Sequence, residues 1–202
     1  MLFQVAKHVI HSIGIVALAD FVSGFVHWAE DSYGNVDTPI LGKHAIEPNL
    51  RHHRYPREFL RNGYWQSSWD LWMIGMVVLA IAWFFNALGW EVCLFVALAV
   101  NANQFHKWAH RNRTENGLIV TALQRARLLP TQAHHAGHHR GLRNSHYCTV
   151  TNFVNPVADK LDLWRGLERL ITRVSGVLPR VDTGAMLEDP RLAKIRAERL
   201  RA

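Results

Sequence analysis

Histidine dominates the chemistry available to this chain: 13 occur among 202 residues, against two cysteines, Cys93 and Cys148. So few thiols argue against a disulfide framework and a thiolate zinc site, and leave imidazole as the main metal-binding group. The histidines are also spaced for ligation. His106 and His110 are four residues apart, as are His135 and His139, so on helices each pair projects from one side and can hold a common centre. His52-His53 and His138-His139 are adjacent doublets, and His27, His44, His134 and His146 lie close to them in the pattern. One such pair is commonly incidental; several pairs brought to one place are not. A single catalytic zinc uses about three protein ligands. Nine or ten imidazoles with the carboxylate of Asp31 exceed what one ion takes, so two metals are the economical expectation. Imidazole suits zinc, copper, iron and nickel alike. Two irons among imidazoles can activate O2 for attack on an unactivated C–H bond, a reaction no side chain performs unaided. Soluble di-iron bundles use Glu and Glu-x-x-His, whereas this chain offers histidines.

Something must gather these side chains, and the apolar residues indicate what. An apolar fraction of 49 %, with eight Trp and nine Phe, can bury a core or fill a bilayer. Residues 71–90 contain no Asp, Glu, Lys or Arg, and about twenty residues at 1.5 Å rise cross a hydrocarbon layer of roughly 30 Å. After the turn signal at Asn86 to Gly89, a second apolar run over 92–105 leads into His106 and His110, which predicts a helical hairpin whose far end is functional. Residues 9–26 are long enough for a third span but carry His11, Asp20 and Ser23. An intramembrane carboxylate marks function, so Asp20 either bonds a metal ligand's free N–H or pairs with His11 or a hydroxyl. A cleavable signal peptide competes for this segment; Asp20 inside it and His27 just after it favour retention.

Charge sets the expected orientation. The formal net charge is +7; of 23 Lys and Arg, five lie in 43–61, five in 107–127 and twelve after His139, leaving Lys7 alone before the first span. By the positive-inside rule the N-terminus is outside and the connecting segments and C-terminal third are cytoplasmic, which brings eleven histidines, His44 included, to one membrane face. The same charges could serve a nucleic acid, but the spans already explain their distribution, and no nucleic-acid partner is expected. Residues 116–127 read as an interfacial segment, and 162–174 as an amphipathic docking helix with Leu163, Leu167, Leu170, Ile171 and Val174 on one face. Trp65, Trp69, Trp72 and Trp90 read as an interfacial belt, and Cys148 as packed. The expected fold is an all-α integral-membrane helical bundle of about three to four spans, with a cytoplasmic histidine-rich cap enclosing a di-metal centre over residues 1–180. A basic tail, helical over 191–201, follows at 181–202.

An ordered series of motifs carries a resemblance: Asp20-x3-Gly24-x2-His27-Trp28-x2-Asp31-x2-Gly34; Pro48-x3-His52-His53-x2-Pro56; Asn103-Gln104-Phe105-His106-Lys107-Trp108-Ala109-His110; and Leu128-Leu129-Pro130 leading to His134-His135-Ala136-Gly137-His138-His139. Tyr147-Cys148, Asn155 and Trp164-Arg165-x-Leu167-Glu168 extend it. The set resembles the Kua family of plasmanylethanolamine desaturases, which includes a plant plastid desaturase of phosphatidylglycerol acyl chains. Asn152 stands where that family commonly has glycine. The resemblance implies O2-dependent removal of two hydrogens next to the ether oxygen of an alkyl ether phospholipid, giving the vinyl ether of a plasmalogen. It implies that His27, Asp31, His52, His53, His106, His110, His135, His138 and His139 are essential and bind two non-haem irons, with His134 a further ligand or a residue that orients one. It also implies a membrane phospholipid substrate and a separate electron donor, such as a ferredoxin or cytochrome b5. The absence of the N-terminal extension of animal members suggests a bacterial version, in the inner membrane. The alternatives are an acyl-lipid desaturase or hydroxylase with the same centre and, in another class, a membrane metal sensor or carrier, which would place ligands along a transmembrane path.

Overall fold

The computed structural model describes residues 2–140 and 143–180, and all regular structure among them is helical. The expected basic tail at 181–202 lies outside the described residues. Helix α1 (Leu2–Tyr33) runs unbroken for 32 residues. Phe3, Val9, Ile10, Ile13 and Leu18 stay exposed along it, whereas Ala19, Asp20, His27, Trp28 and Asp31 near its C-terminal end are buried. One helix therefore serves two surroundings, apolar at one end and catalytic-looking at the other. Helix α3 (Tyr64–Phe84) is likewise exposed and apolar, at Met73, Ile74, Met76, Val77 and Ile81 among others. These two helices are long and apolar enough to cross a membrane.

Two span boundaries differ from expectation. The 71–90 span begins earlier, at Tyr64 after extended Gly63, and ends at Phe84; Asn86 then turns through a left-handed φ of 55° and Trp90 opens the next helix. The returning helix over 92–105 is divided into α4 (Trp90–Ala99) and α5 (Ala102–His110). At the break, the Asn101 amide donates to the Ala97 carbonyl at 2.9 Å, and its Oδ1 accepts the Tyr64 hydroxyl at 2.9 Å. Tyr64 in turn accepts the Trp72 indole N–H at 2.9 Å, so Trp72 braces this junction while Trp65, Trp69 and Trp90 remain exposed. Gly75 permits the close approach of α3 and α4: a Cβ there would lie 2.6 Å from Val100 Cγ1.

The cap is built from short elements. A π-helical turn (Gly42–Ile46) leads into α2 (Glu47–Arg54), whose Pro48 suits a first helical turn, and a 3-10 turn (Glu58–Arg61) follows. Helix α6 (Arg113–Arg125) starts with a capping box between Asn112 and Glu115 and is kinked at Gly117, φ 70°. Just past the kink Leu118 is 91 % and Ile119 78 % exposed, an apolar tip where the interfacial segment is expected. Helices α7 (Gln132–His135), α8 (Val154–Lys160) and α9 (Leu163–Ser175) complete the described chain. Of the expected apolar face of α9, Leu163, Leu167 and Ile171 pack inward, while Leu170 and Val174 are exposed.

The core beneath the cap comprises Trp28, Tyr147, Cys148, Ala158 and Trp164. Gly24 brings the 148 segment against α1, since a Cβ there would lie 2.4 Å from Cys148 Sγ. Cys148 is packed as expected, and burial pushes its thiol pKa up, away from reactivity. Asp20 meets neither a metal ligand nor His11; of its expected partners it takes a hydroxyl, and two backbone N–H groups besides. Its Oδ1 accepts the backbone N–H groups of Val150 and Thr151, each at 2.9 Å, and Oδ2 accepts the Thr151 hydroxyl at 2.5 Å, tying the segment after the histidines to α1; His11 instead faces Glu91 at 3.8 Å. Buried Glu168 of α9 accepts from Trp28 Nε1 at 3.2 Å and Ser32 Oγ at 3.1 Å and meets Arg165 at 2.7 Å, which locks α9 to α1.

Candidate metal centre

Four parts of the chain deliver the candidate ligands. His27 and Asp31 are one helical turn apart on α1, and His106 and His110 one turn apart on α5, so each pair faces one way. The doublets behave differently. Adjacent helical residues point about 100° apart, and His52 and His53 on α2 accordingly enter different groups, as do His138 and His139 in the turns after α7. The result is two clusters. His52, His106, His110, His135 and His139 form one; His27, Asp31, His53 and His138 form the other; within each, the ligand atoms all lie within 4.8 Å of one another. The clusters abut, with the His52 and His53 rings 4.3 Å apart and the His27 and His106 rings 5.3 Å apart between centroids.

Hydrogen bonding alone does not account for the five-histidine cluster. His106 Nε2 lies 2.8 Å from His135 Nε2 and 3.2 Å from His110 Nε2, and His135 Nε2 also lies 3.1 Å from His139 Nε2. A ring nitrogen carries one proton or one in-plane lone pair, so an Nε2 facing two others cannot be satisfied by both. A cation accepts all of these lone pairs at once, and nitrogens about 2.1 Å from one ion are spaced by roughly 3 Å. The carboxylate cluster shows the same need: His27 Nε2, His138 Nε2 and Asp31 Oδ2 are buried without hydrogen-bond partners, although the two nitrogens lie 3.8 and 3.4 Å from that oxygen. Each cluster can therefore hold a metal ion, and the donors are those of a nitrogen-rich site.

Burial holds the imidazoles neutral, as ligands must be. It lowers the pKa of His52, His53 and His135 below the ordinary histidine value, and that of His139 likewise. The tautomer is fixed where a carbonyl, which only accepts, meets Nδ1. His27 Nδ1 donates to the Tyr147 carbonyl at 3.1 Å, His138 Nδ1 to that of Ser145 at 2.8 Å, and His52 Nδ1 to that of Asn49. In all three rings Nε2 is thereby left as the donor atom for a metal.

A model of the lipid desaturase domain matches residues 16–182. The chain belongs to the lipid desaturase domain family. Among its relatives are a plasmanylethanolamine desaturase of Myxococcus xanthus, 33 % identical over 171 residues (81 % of this chain, 60 % of the relative), and plasmanylethanolamine desaturase 1 of Mus musculus, 33 % identical over 187 residues (84 % and 68 %). The chloroplastic fatty acid desaturase 4 of Arabidopsis thaliana is 36 % identical over 166 residues (81 % and 51 %). The chain thus spans between about half and two thirds of the length of these relatives. No solved structure matches.

Within this desaturase domain the remaining histidines stand apart from both clusters. His134 accepts from Asn155 Nδ2 at 3.0 Å and packs against His146, centroids 5.0 Å apart, so it supports the site from outside. His146 meets Asp159 at 3.2 Å, and His44 packs against Trp69. Other residues shape the centre without having been marked by spacing. Asn49 donates to Asp31 Oδ1 at 2.7 Å, leaving Oδ2 aimed at His27 and His138. The Phe59 ring lies 5.6, 5.1 and 5.2 Å from the rings of His52, His106 and His110 and walls off the five-histidine cluster. Lys107, buried between the ligands of α5, donates to the carbonyls of Asn62 and Gly63 at 2.7 and 3.3 Å and fixes α5 to the start of α3. Asn155 and Tyr147, part of the motif series, prove to be positioning groups: Asn155 clamps Cys148 N and O, each at 2.8 Å.

Proposed function

We propose that this desaturase domain holds one iron in each cluster and, with O2 and two external electrons, desaturates a membrane phospholipid, converting a plasmanyl (1-O-alkyl) ethanolamine lipid to the vinyl ether plasmalogen. The observation that carries this reading is the pair of abutting clusters with nine ligands between them, more than one ion takes. Bound there, iron supplies the activation of O2 that removal of hydrogen from an unactivated carbon requires. The overall change balances as one CH2–CH2 pair, O2, two electrons and two protons giving one CH=CH pair and two waters. The chain's own groups prepare the site. The Asp31 carboxylate offsets cationic charge in the fully buried cluster, and the Tyr147, Ser145 and Asn49 carbonyls hold three rings in ligating orientation. Phe59 packs over the five-histidine cluster.

The exposed apolar lengths of α1 and α3 support membrane insertion, with α4 and α5 packed beside them and the apolar tip at Leu118 and Ile119 resting in the interface. The lysine and arginine distribution supports a cytoplasmic position for the clusters, and on this reading a separate protein such as a ferredoxin or cytochrome b5 delivers the electrons. The plasmanylethanolamine desaturases among the relatives support the ether substrate; the fatty acid desaturase 4 relative favours a second reading, an acyl chain oxidised at the same centre. Lipid mass spectrometry decides between them. Expression in a plasmalogen-free host fed alkyl ether phospholipid should yield acid-labile vinyl ether that requires air and His138. Double bonds confined to acyl chains would replace the ether reading with the acyl one.

A further inference from the structure

Beside the clusters lies an open cleft of about 980 Å³ whose lining includes Arg54, Arg57, Arg61 and Arg111. Two acids line it as well, but each has a partner: Glu58 pairs with Arg51 at 2.7 Å, and Glu115 with Arg57. Arg54, Arg61 and Arg111 thus leave the cleft with surplus positive charge. The cleft is also joined to the metal ligands. Arg54 follows His53 and Arg111 follows His110 in the chain, and Arg57 Nη1 donates to the His110 carbonyl at 3.5 Å. Phe59, whose ring packs against His52, His106 and His110, lies in the chain between the cleft residues Glu58 and Leu60.

We propose that this arginine cleft binds the phosphodiester of the phospholipid head group and so fixes which carbon reaches the metals. The inference rests on the phospholipid reading above. Guanidinium groups recognise phosphate oxygens in paired, charge-assisted hydrogen bonds. The substrate's own geometry demands such a site nearby: the carbon next to the ether oxygen is roughly six bonds, under about 10 Å, from the phosphorus. A head group held by residues that adjoin the ligands in the chain delivers that carbon and leaves the rest of the alkyl chain to run back toward α1 and α3.

The test uses the full iron-loaded chain in an uncharged detergent, titrated with a short-chain alkyl-acyl glycerophosphoethanolamine and with the matching alkyl-acyl glycerol that lacks phosphate. Binding is followed by tryptophan fluorescence and iron by elemental analysis. The intact protein should prefer the phospholipid by about tenfold or more, less so as salt rises. The exposed double variant Arg54→Gln/Arg61→Gln, and Arg111→Gln separately, should lower that ratio about tenfold with iron and neutral-lipid affinity unchanged, and Arg54→Lys/Arg61→Lys should recover most of it. Equal affinity of the intact protein for both lipids, or glutamine variants that keep the full preference, overturns the assignment. Variants that keep it yet lose turnover with a protein reductant and not with a chemical one overturn it in favour of a docking site for an acidic electron carrier. If the arginine-dependent preference holds while no vinyl ether ever forms, the cleft stands and the ether-lipid chemistry is what fails.

Discussion

The two clusters are neighbours built on different plans. The carboxylate cluster is buried throughout, at His27, His53, His138 and Asp31; two of its rings are fixed by backbone carbonyls, and Asp31 is itself held by Asn49. The five-histidine cluster carries no acid, includes the partly exposed His139, and packs against Phe59, with Arg57 of the arginine cleft reaching the His110 carbonyl. The first can neutralise ion charge and has no ligand to spare; the second has a ligand in excess and lies toward the surface. A centre that must admit a substrate and still retain its metals can divide the tasks in this way, with one ion anchored and one approachable.

The largest expected effect comes from deleting one ligand on each side. His138→Ala should abolish desaturation and release the ion of the four-ligand cluster, taking bound iron from about two to about one per chain. His110→Ala should also abolish turnover but, with four imidazoles remaining, should retain most of its iron; elemental analysis beside product assay checks the contrast. Equal iron loss in both variants breaks the comparison. Next comes Asp31→Asn, which keeps the shape and removes the charge. Iron affinity should fall in the carboxylate cluster alone, whereas Asn49→Ala, which only releases Asp31, should cost about 10- to 100-fold in affinity or activity.

Acid should separate protein from metal by a route with a definite sign. Burial lowers the pKa of His52, His53, His135 and His139, and takes that of His134 from 6.5 to about 4. The unfolded chain therefore binds protons before the folded one does as pH drops. Stability is full above about 6.5 and falls progressively below it, as far as about 4 for His134 and further for the others. Melting temperature and bound iron measured across that window should decline together. The smallest effect is expected of His134→Ala, which touches neither cluster directly. Both irons should remain, and a loss of about 1 kcal/mol, that of one part-buried hydrogen bond to Asn155, should appear in denaturant unfolding.

Legibility in the sequence followed the physics of spacing. The pair His106 and His110 could be read as a shared centre because a helix puts both on one face; His135 and His139 are gathered too, although His139 lies in the turns beyond α7. How the doublets divide could not be read, because it depends on how α2 and the turns after α7 are aimed by tertiary packing. Apolar length made α1 and α3 visible, but the break at Asn101 was hidden: it depends on a hydrogen-bond chain through Tyr64 and Trp72 on another helix. Asn49 and Phe59 carried no signal, being ordinary residue types at no special interval. Asp20 was conspicuous as a carboxylate in an apolar run, and a hydroxyl partner was among those expected, yet that hydroxyl and the two backbone N–H groups beside it lie more than a hundred residues away.

Two abutting clusters of different composition should hold two unlike ions side by side. Mössbauer spectra of the iron-loaded protein test it most directly. Two quadrupole doublets of equal area at about two irons per chain, one of them altered by Asp31→Asn and the other by His110→Ala, are the predicted result. A single doublet, or saturation at one iron per chain, would contradict it.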